Sequence, residues 1–162
     1  MLYWSDIGLI EREGTGSMLY AEEIKQYYKH WRETMTLYEE WAKAHQITYN
    51  ELLIFLSLWE YHDGCTQKAI CSQWLLSKQT VNSIFQNLTK QGFVELRTME
   101  KDRRNKAAFL TEAGACHVRE IVERLQKQEE YVMGKLGEAR RTVLLESMEL
   151  YNHYFQEDQG YE

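Results

Sequence analysis

Residues 65–111 read CTQKAICSQWLLSKQTVNSIFQNLTKQGFVELRTMEKDRRNKAAFLT, and the order of patterns within them decides the architecture. Thr66-Gln67-Lys68 opens a short segment whose Ile70, Trp74 and Leu75 are expected to face a core. Ser77 follows, a residue type whose hydroxyl accepts from the free amides of a first helical turn. The helix it starts is expected to run to about Gln91 and to close on Gly92. Along that helix Val81, Ile84, Phe85 and Leu88 form one apolar stripe. Gln79, Asn82, Ser83, Gln86 and Lys90 fall opposite, at helical spacing and without an acid among them. Phe93 to Met99 then alternates and is rich in strand-forming residues, with Ala107 to Leu110 as its expected antiparallel partner across a Glu100–Lys106 turn.

Charge singles out the same segment. Between Thr66 and Thr111 stand eight basic residues and three acidic ones, a local balance of +5 on a chain whose total is −6, which leaves −11 for the remainder. A positive island on an acidic protein is the pattern of one surface that meets a polyanion while the rest does not. The overall acidity alone would argue against a nucleic-acid partner, but phosphate contacts depend on local charge.

Outward from this centre the chain reads as helix. Thr111 is expected to cap a long helix through Ile121, Val122, Leu125 and Val132 that ends near Gly137. A last helix from Glu138 to about Gln156 carries Leu144, Met148, Tyr151 and Phe155 on one side. Upstream, Ile24, Tyr27, Tyr28, Trp31, Met35, Tyr38, Trp41 and Ala42 recur at helical spacing from about Ala21 to His45. A second helix, about Tyr49 to Tyr61, turns Leu52, Leu53, Leu56 and Trp59 inward and stops at Asp63-Gly64. The first seventeen residues lack a period and read as a tail. The division expected is a tail at 1–17, scaffold and dimerisation helices at 18–62, a DNA-binding region at 63–111, dimerisation helices at 112–157 and a short tail at 158–162. The fold class is mostly α with a small antiparallel β-hairpin wing.

Composition closes off other classes. At 162 residues, with no proline and 13% aromatic residues, the chain reads as one ordered, mainly helical domain. Three cysteines with no metal-ligand pairing, and no signal peptide, point to a reducing cytoplasm, and no apolar run approaches the roughly 18 residues of a membrane span. No Gly-rich phosphate loop and no Ser/His/Asp arrangement in a motif context is present, so neither an enzyme nor a cofactor is expected.

Helix, tight turn, helix and hairpin make a winged helix-turn-helix, in which each part has a physical task. An α-helix fits the major groove of B-DNA, where side chains that donate and accept can read base edges. Gln79, Asn82, Ser83 and Gln86 offer that chemistry. Ser77, Thr80, Lys78 and Lys90 suit phosphates, which set register without specifying sequence. Arg103 and Arg104 at the hairpin tip suit the negative potential of the minor groove.

On these residues the sequence resembles the MarR (multiple antibiotic resistance regulator) family of transcription factors. The matching motifs are Ser77-x-x-Thr80-Val81, Leu88-x-x-x-Gly92-Phe93-Val94, and Asp102-Arg103-Arg104 followed by Leu110-Thr111-x-x-Gly114, within a likeness that covers about Tyr20 to Gln156. The resemblance implies a homodimer built from the first and last helices that binds a pseudo-palindromic double-stranded DNA operator and usually represses transcription. It further implies that Asp102 braces the wing by pairing with a neighbouring arginine, that Arg104 enters the minor groove, and that the effector is a small phenolic or planar aromatic compound. Trp31, Tyr38, Trp41, His45 and Tyr49 lie near the expected junction of dimer and reading head, as candidates for lining an aromatic cavity. Metal or redox input is a competing possibility with little to rest on. The five histidines are scattered, His62-x-x-Cys65 has no matching second pair, and none of Cys65, Cys71 and Cys116 sits in the first helix, where the family's peroxide sensors place theirs. The alternative function is a winged-helix protein-interaction module or antirepressor without an operator of its own.

Overall fold

The computed structural model describes residues 19–99 and 102–157, with the side chains of Met99 and residues 102–105 outside that description. The tails expected at 1–17 and 158–162 also lie outside it. Five helical elements and three strands follow in the order α1 (Ala21–Ala44), α2 (Tyr49–Glu60), β1 (Cys65–Thr66), α3 (Gln67–Trp74), α4 (Lys78–Lys90), β2 (Val94–Met99), β3 (Asp102–Leu110) and α5 (Glu112–Glu157).

Helix α2 is the centre of the core. A reciprocal capping box starts it: the Glu51 amide donates to Thr48 Oγ1 at 3.2 Å while the Thr48 amide donates to Glu51 Oε2 at 2.8 Å. Leu52, Leu53, Ile54, Phe55, Ser57 and Leu58 are all buried along it, so the helix is covered on most of its circumference. The sequence reading placed Leu56 and Trp59 inward in company with Leu52 and Leu53; both pack against the core but stay half-buried. Ala42, Ile70, Val81, Phe85, Leu88, Val94, Val118, Ile121, Val122 and Leu125 close around α2 from the other elements.

The wing is a three-stranded sheet rather than the two-stranded hairpin expected, in the order β1-β3-β2. Cys65 pairs with Ala108 and Thr66 with Ala107, which ties the wing to the start of α3. Strands β2 and β3 pair from Val94↔Leu110 to Thr98↔Lys106, and the register then slips between Thr98 and Met99. The third strand therefore reaches back to Asp102, and the connecting turn is shorter than the Glu100–Lys106 span read from the sequence.

At Gly137 the helical run of α5 breaks, with φ 74° and ψ 164°. Arg141 Nη1 donates to the Met133 carbonyl at 2.9 Å and so ties the two sides of the break together. Beyond the break α5 lies beside α1, where Tyr27 and Tyr151 stack with ring centroids 5.0 Å apart. The outer half of α1 and the last part of α5 nonetheless expose Ile24, Tyr28, Trp31, Leu144, Met148 and Phe155 in the single chain.

Candidate nucleic-acid interface

Helix α4 is fastened at both ends. At its start Ser77 Oγ accepts from the Thr80 amide at 3.0 Å, and Gln67 Nε2 donates to the Lys78 carbonyl at 2.7 Å, which pins the first turn to α3. At its end Gly92 adopts φ 75°, the Gly92 amide donates to the Thr89 carbonyl at 3.0 Å and the Phe93 amide to the Leu88 carbonyl at 2.9 Å. Those two bonds form a Schellman stop, which needs a residue that tolerates the left-handed conformation.

Thr111 ties this stop to the base of the wing and to α5. Its hydroxyl donates to the Gly92 carbonyl at 2.6 Å and accepts from the Gly114 amide at 3.0 Å, while its amide donates to the Phe93 carbonyl at 3.0 Å. Gly114 lets the helix approach so closely: a Cβ there would stand 1.9 Å from the Phe93 carbonyl oxygen. One threonine and one glycine thus set the angle between the end of α4, the wing and α5. The sequence reading gave Thr111 only its capping role on α5.

Between those anchors the two stripes of α4 separate cleanly. Val81, Phe85 and Leu88 are buried and Ile84 is half-buried. Gln79, Asn82, Ser83, Gln86 and Lys90 are all exposed, as are Ser77 and Lys78, whereas Thr80 is half-buried. Thr80 and Ser77 also bond hydroxyl to hydroxyl at 2.8 Å, so both hydroxyls are already engaged in the cap. The exposed face is rich in amides and carries no carboxylate. Asp102, Arg103 and Arg104 fall on β3, with side chains outside the described residues.

A second network sets the approach of α3. Trp74 Nε1 donates to Ser57 Oγ at 2.7 Å, and that hydroxyl lies 2.9 Å from Gln73 Oε1, to which it donates. Gln73 Nε2 in turn donates to Glu60 at 3.2 Å. Ser57 is fully buried, and this bonding satisfies it. The residue that follows departs from expectation. Leu75, read from the sequence as facing the core, is 91% exposed and sits at φ 54°, because the chain reverses there into the left-handed region before Leu76 turns inward.

A MarR family model matches residues 45–105, from the end of α1 into the wing. A MarR family regulator from Neisseria meningitidis shares 25% identity and a TM-score of 0.70 over 83% of this chain and 94% of its own. Over its winged-helix part in sequence, and over most of its length in fold, the chain is similar to the MarR family. The organic hydroperoxide resistance transcriptional regulator of Bacillus subtilis (strain 168) is 32% identical over 84 residues, so the chain matches about half of that relative's length, 56%, with 52% of its own. Staphylococcus aureus MarR in complex with salicylate and kanamycin has the same fold, with a TM-score of 0.68 at 19% identity over 88% of this chain and 95% of that one. No helix among the described residues is long and apolar enough to cross a membrane.

The five aromatic positions proposed for an effector lie along α1, at its end and at the start of α2. Tyr38 donates to Glu129 Oε1 at 2.7 Å, which joins α1 to α5, and burial with that carboxylate partner pushes its hydroxyl up to about 12. Trp41 stacks on His45 at 3.9 Å between ring centroids, and Tyr49 lies 3.8 Å from Met35 Sδ. Tyr38, Trp41 and Tyr49 pack against the core, whereas Trp31 is 52% exposed on the outer part of α1. A cleft of about 420 Å³ opens elsewhere, lined by Trp59 and His62 near the end of α2, Arg97 and Phe109 of the wing, and Ala115 and Arg119 of α5. Its lining comes from segments far apart in sequence, so no local pattern announces it.

No group of three or more His, Cys, Asp or Glu side chains able to hold a metal occurs among the described residues. His45 stacks on Trp41, while His117 stacks on Phe93 and meets Phe55 edge-on. Cys65 is buried on β1, and burial pushes its thiol up to about 11, the opposite of what a reactive thiolate requires.

Proposed function

We propose that this protein is a ligand-responsive homodimeric repressor that reads a pseudo-palindromic operator with α4 and the wing. The observation that carries this reading is the acid-free face of α4. Gln79, Asn82, Ser83 and Gln86 stand exposed on a helix fixed at both ends, which suits base edges, while Ser77, Lys78, Thr80 and Lys90 suit phosphates. The engagement of the Ser77 and Thr80 hydroxyls in the cap leaves them as weaker phosphate donors than the lysines. Arg103 and Arg104 reach the minor groove in this reading, with Asp102 as the brace of the wing.

Pairing of two copies is supported by the apolar faces of α1 and α5. Tyr28, Trp31, Leu144, Met148 and Phe155 stand exposed along those helices in the single chain, and clustered exposed apolar residues mark interaction surfaces. Helices 18–62 and 112–157 would then form the dimer, and region 63–111 the two heads, with the recognition helices about 34 Å apart to meet successive turns of the major groove. An effector of phenolic or planar aromatic type is supported by the relatives: one structure holds salicylate, and Bordetella bronchiseptica BpsR is described as regulated by 6-hydroxynicotinic acid. A peroxide input, suggested by the Bacillus relative's name, would not run through Cys65, whose thiol is buried and raised.

The test is selection of genomic DNA fragments by the purified protein, followed by fluorescence anisotropy on the selected site. Gln79→Ala should weaken operator binding by about 1–3 kcal/mol and relax the sequence preference at one base pair, and Arg104→Ala should weaken it and lower the salt slope. Absence of salt-dependent binding to every selected fragment would leave the interaction-module reading in its place.

A further inference from the structure

Helix α3 is held by hydrogen bonds more than by apolar burial, and those bonds converge on one serine of α2. We propose that Ser57 is a positioning residue for operator recognition: its hydroxyl fixes the rotation of α3, and through α3 the angle at which α4 meets base edges. The role in recognition rests on the operator-binding reading; the brace itself does not.

Of the eight residues of α3 only Ile70 is fully buried, against three on α4 and six on α2. Ala69, Cys71 and Trp74 touch the core from half-buried positions. So little apolar anchorage sets the distance of a short helix from its support but fixes its rotation weakly, because hydrophobic contact is non-directional. Hydrogen bonds supply the missing direction.

Trp74 Nε1 donates to Ser57 Oγ at 2.7 Å, and that hydroxyl donates to Gln73 Oε1 at 2.9 Å, with the Leu53 carbonyl a longer alternative at 3.3 Å. Ser57 therefore accepts from one residue of α3 and donates to its neighbour, at a point with no exposed surface. Gln73 Nε2 carries the chain of bonds outward to the exposed Glu60 carboxylate at 3.2 Å, three residues further along α2. A hydroxyl can serve both bonds, and a methyl can serve neither.

The brace closes through the other end of α3. Gln67 Nε2 donates to the Lys78 carbonyl at 2.7 Å, so the first turn of α4 hangs on the start of α3, while Trp74 stands three residues ahead of the Ser77 cap. A rotation of α3 about Ile70 moves both of these connections to α4 together. The side chains of α4 feel such a rotation unequally. Amides that read base edges need donors and acceptors in line to within about 10–20°. Lysines on flexible stems follow phosphates over a wider range. Loss of the brace should thus lower discrimination between operator and other DNA more than it lowers affinity for DNA in general.

The experiment compares the wild type with Ser57→Ala, Trp74→Phe and the double variant, first by amide hydrogen exchange without DNA, then by fluorescence anisotropy on the selected operator and on an unrelated duplex. Each single variant should speed exchange about tenfold at Thr80 and Val81, whose amides donate to Ser77, while the α2 amides of Phe55 and Leu58 keep their protection. Each should weaken operator binding about tenfold and leave the unrelated duplex, its salt slope and the dimer constant unchanged. The double variant should be no weaker than either single one, since both remove the same bond. Unchanged exchange at Thr80 and Val81 in both single variants overturns the brace. Faster exchange with an unaltered ratio of operator to unrelated binding overturns the role in recognition, as do equal losses on both duplexes or losses that multiply in the double variant. If Ser57→Ala does not fold, Trp74→Phe, which keeps most of the apolar surface, decides by the same two readouts. A wild type without salt-dependent binding to any duplex overturns the operator reading instead, and exchange still decides the brace.

Discussion

The reading head and the helical arms treat apolar side chains in opposite ways. In the head Val81, Phe85 and Leu88 of α4, Val94 of β2 and Ile70 of α3 are buried within one chain, and each helix end there is capped or tied to a neighbour. In the arms Trp31, Leu144, Met148 and Phe155 stand open, although they sit at regular helical spacing. The head completes its own core, whereas the arms carry the pattern of a core with one side missing. Stability of the head should therefore be a property of the chain, and stability of the arms a property of protein concentration.

The sharpest way to break that contrast is to charge the arms. Leu144→Glu combined with Met148→Glu would place four carboxylates in a two-fold interface, because every substitution appears twice. We expect dimerisation to weaken by about 4 kcal/mol or more and operator binding to fall with it, while the secondary structure of the head persists. Sedimentation equilibrium and circular dichroism read the two effects separately. A variant that remains a dimer would mean that the open faces of α1 and α5 serve something other than pairing.

Gly114→Ala attacks the head instead. The added methyl would meet the Phe93 carbonyl oxygen at 1.9 Å, with backbone on both sides of the clash, so neither party can rotate away. A loss of about 3 kcal/mol in urea unfolding is expected, at the upper end of overpacking costs. Thr111→Val, which keeps the shape but removes the bonds to Gly92 and Gly114, should cost about half as much.

Those two residues also show what the sequence could and could not disclose. Helix α4 was legible because a single face is buried, so its 3.6-residue period survives, and because Ser77 and Gly92 mark its ends with side-chain chemistry. Helix α2 was legible as a helix but not as the centre of the core, since burial around most of its circumference leaves Ile54, Phe55 and Ser57 without a distinguishing period. Strand β1 is two residues long and exists only through its pairing with Ala107 and Ala108. The Thr111 tie to Gly92 spans nineteen positions, and the cleft draws on α2, the wing and α5, so both depend on tertiary contact. The amide stripe of α4 was readable residue by residue, as an exposed surface; aromatic spacing along a helix looks the same whether it lines a cavity or fills a core.

A titration separates the head from the arms at smaller amplitude. The Cys65 thiol, buried where β1 meets β3, is pushed up to about 11 from its ordinary value of 9.0. A folded state that holds its proton more tightly than the unfolded chain keeps its full stability below pH 9 and loses it as pH rises towards 11. From pH 8 to pH 10 the wild type should lose about 1 kcal/mol more than Cys65→Ala, as read by urea midpoints. Tyr38, raised to about 12 from 10.0, adds a second loss only above pH 10. Equal losses in the two proteins would mean that the β1–β3 junction opens to solvent before the thiol ionises.

The smallest effect expected is a gain. Leu75 holds φ 54° and ψ 29° with 91% of its surface exposed, between Trp74, whose ring nitrogen is bonded to Ser57, and Leu76, which packs on the core. The flanking contacts fix the reversal, so the leucine bears a left-handed backbone of about 1–2 kcal/mol without burying its side chain in return. Leu75→Gly removes that strain but adds freedom to the unfolded chain, worth about 0.5–1 kcal/mol in the other direction. The net should be a stabilisation of about 0.5 kcal/mol, with the dimer constant unchanged because the turn lies in the head. Leu75→Val, which brings a branched Cβ to positive φ, should lose stability instead. If Leu75→Gly stabilises the chain yet weakens operator binding while Gln79 and Lys78 remain in place, the exposed leucine touches DNA, and the strain at the turn is retained for that contact.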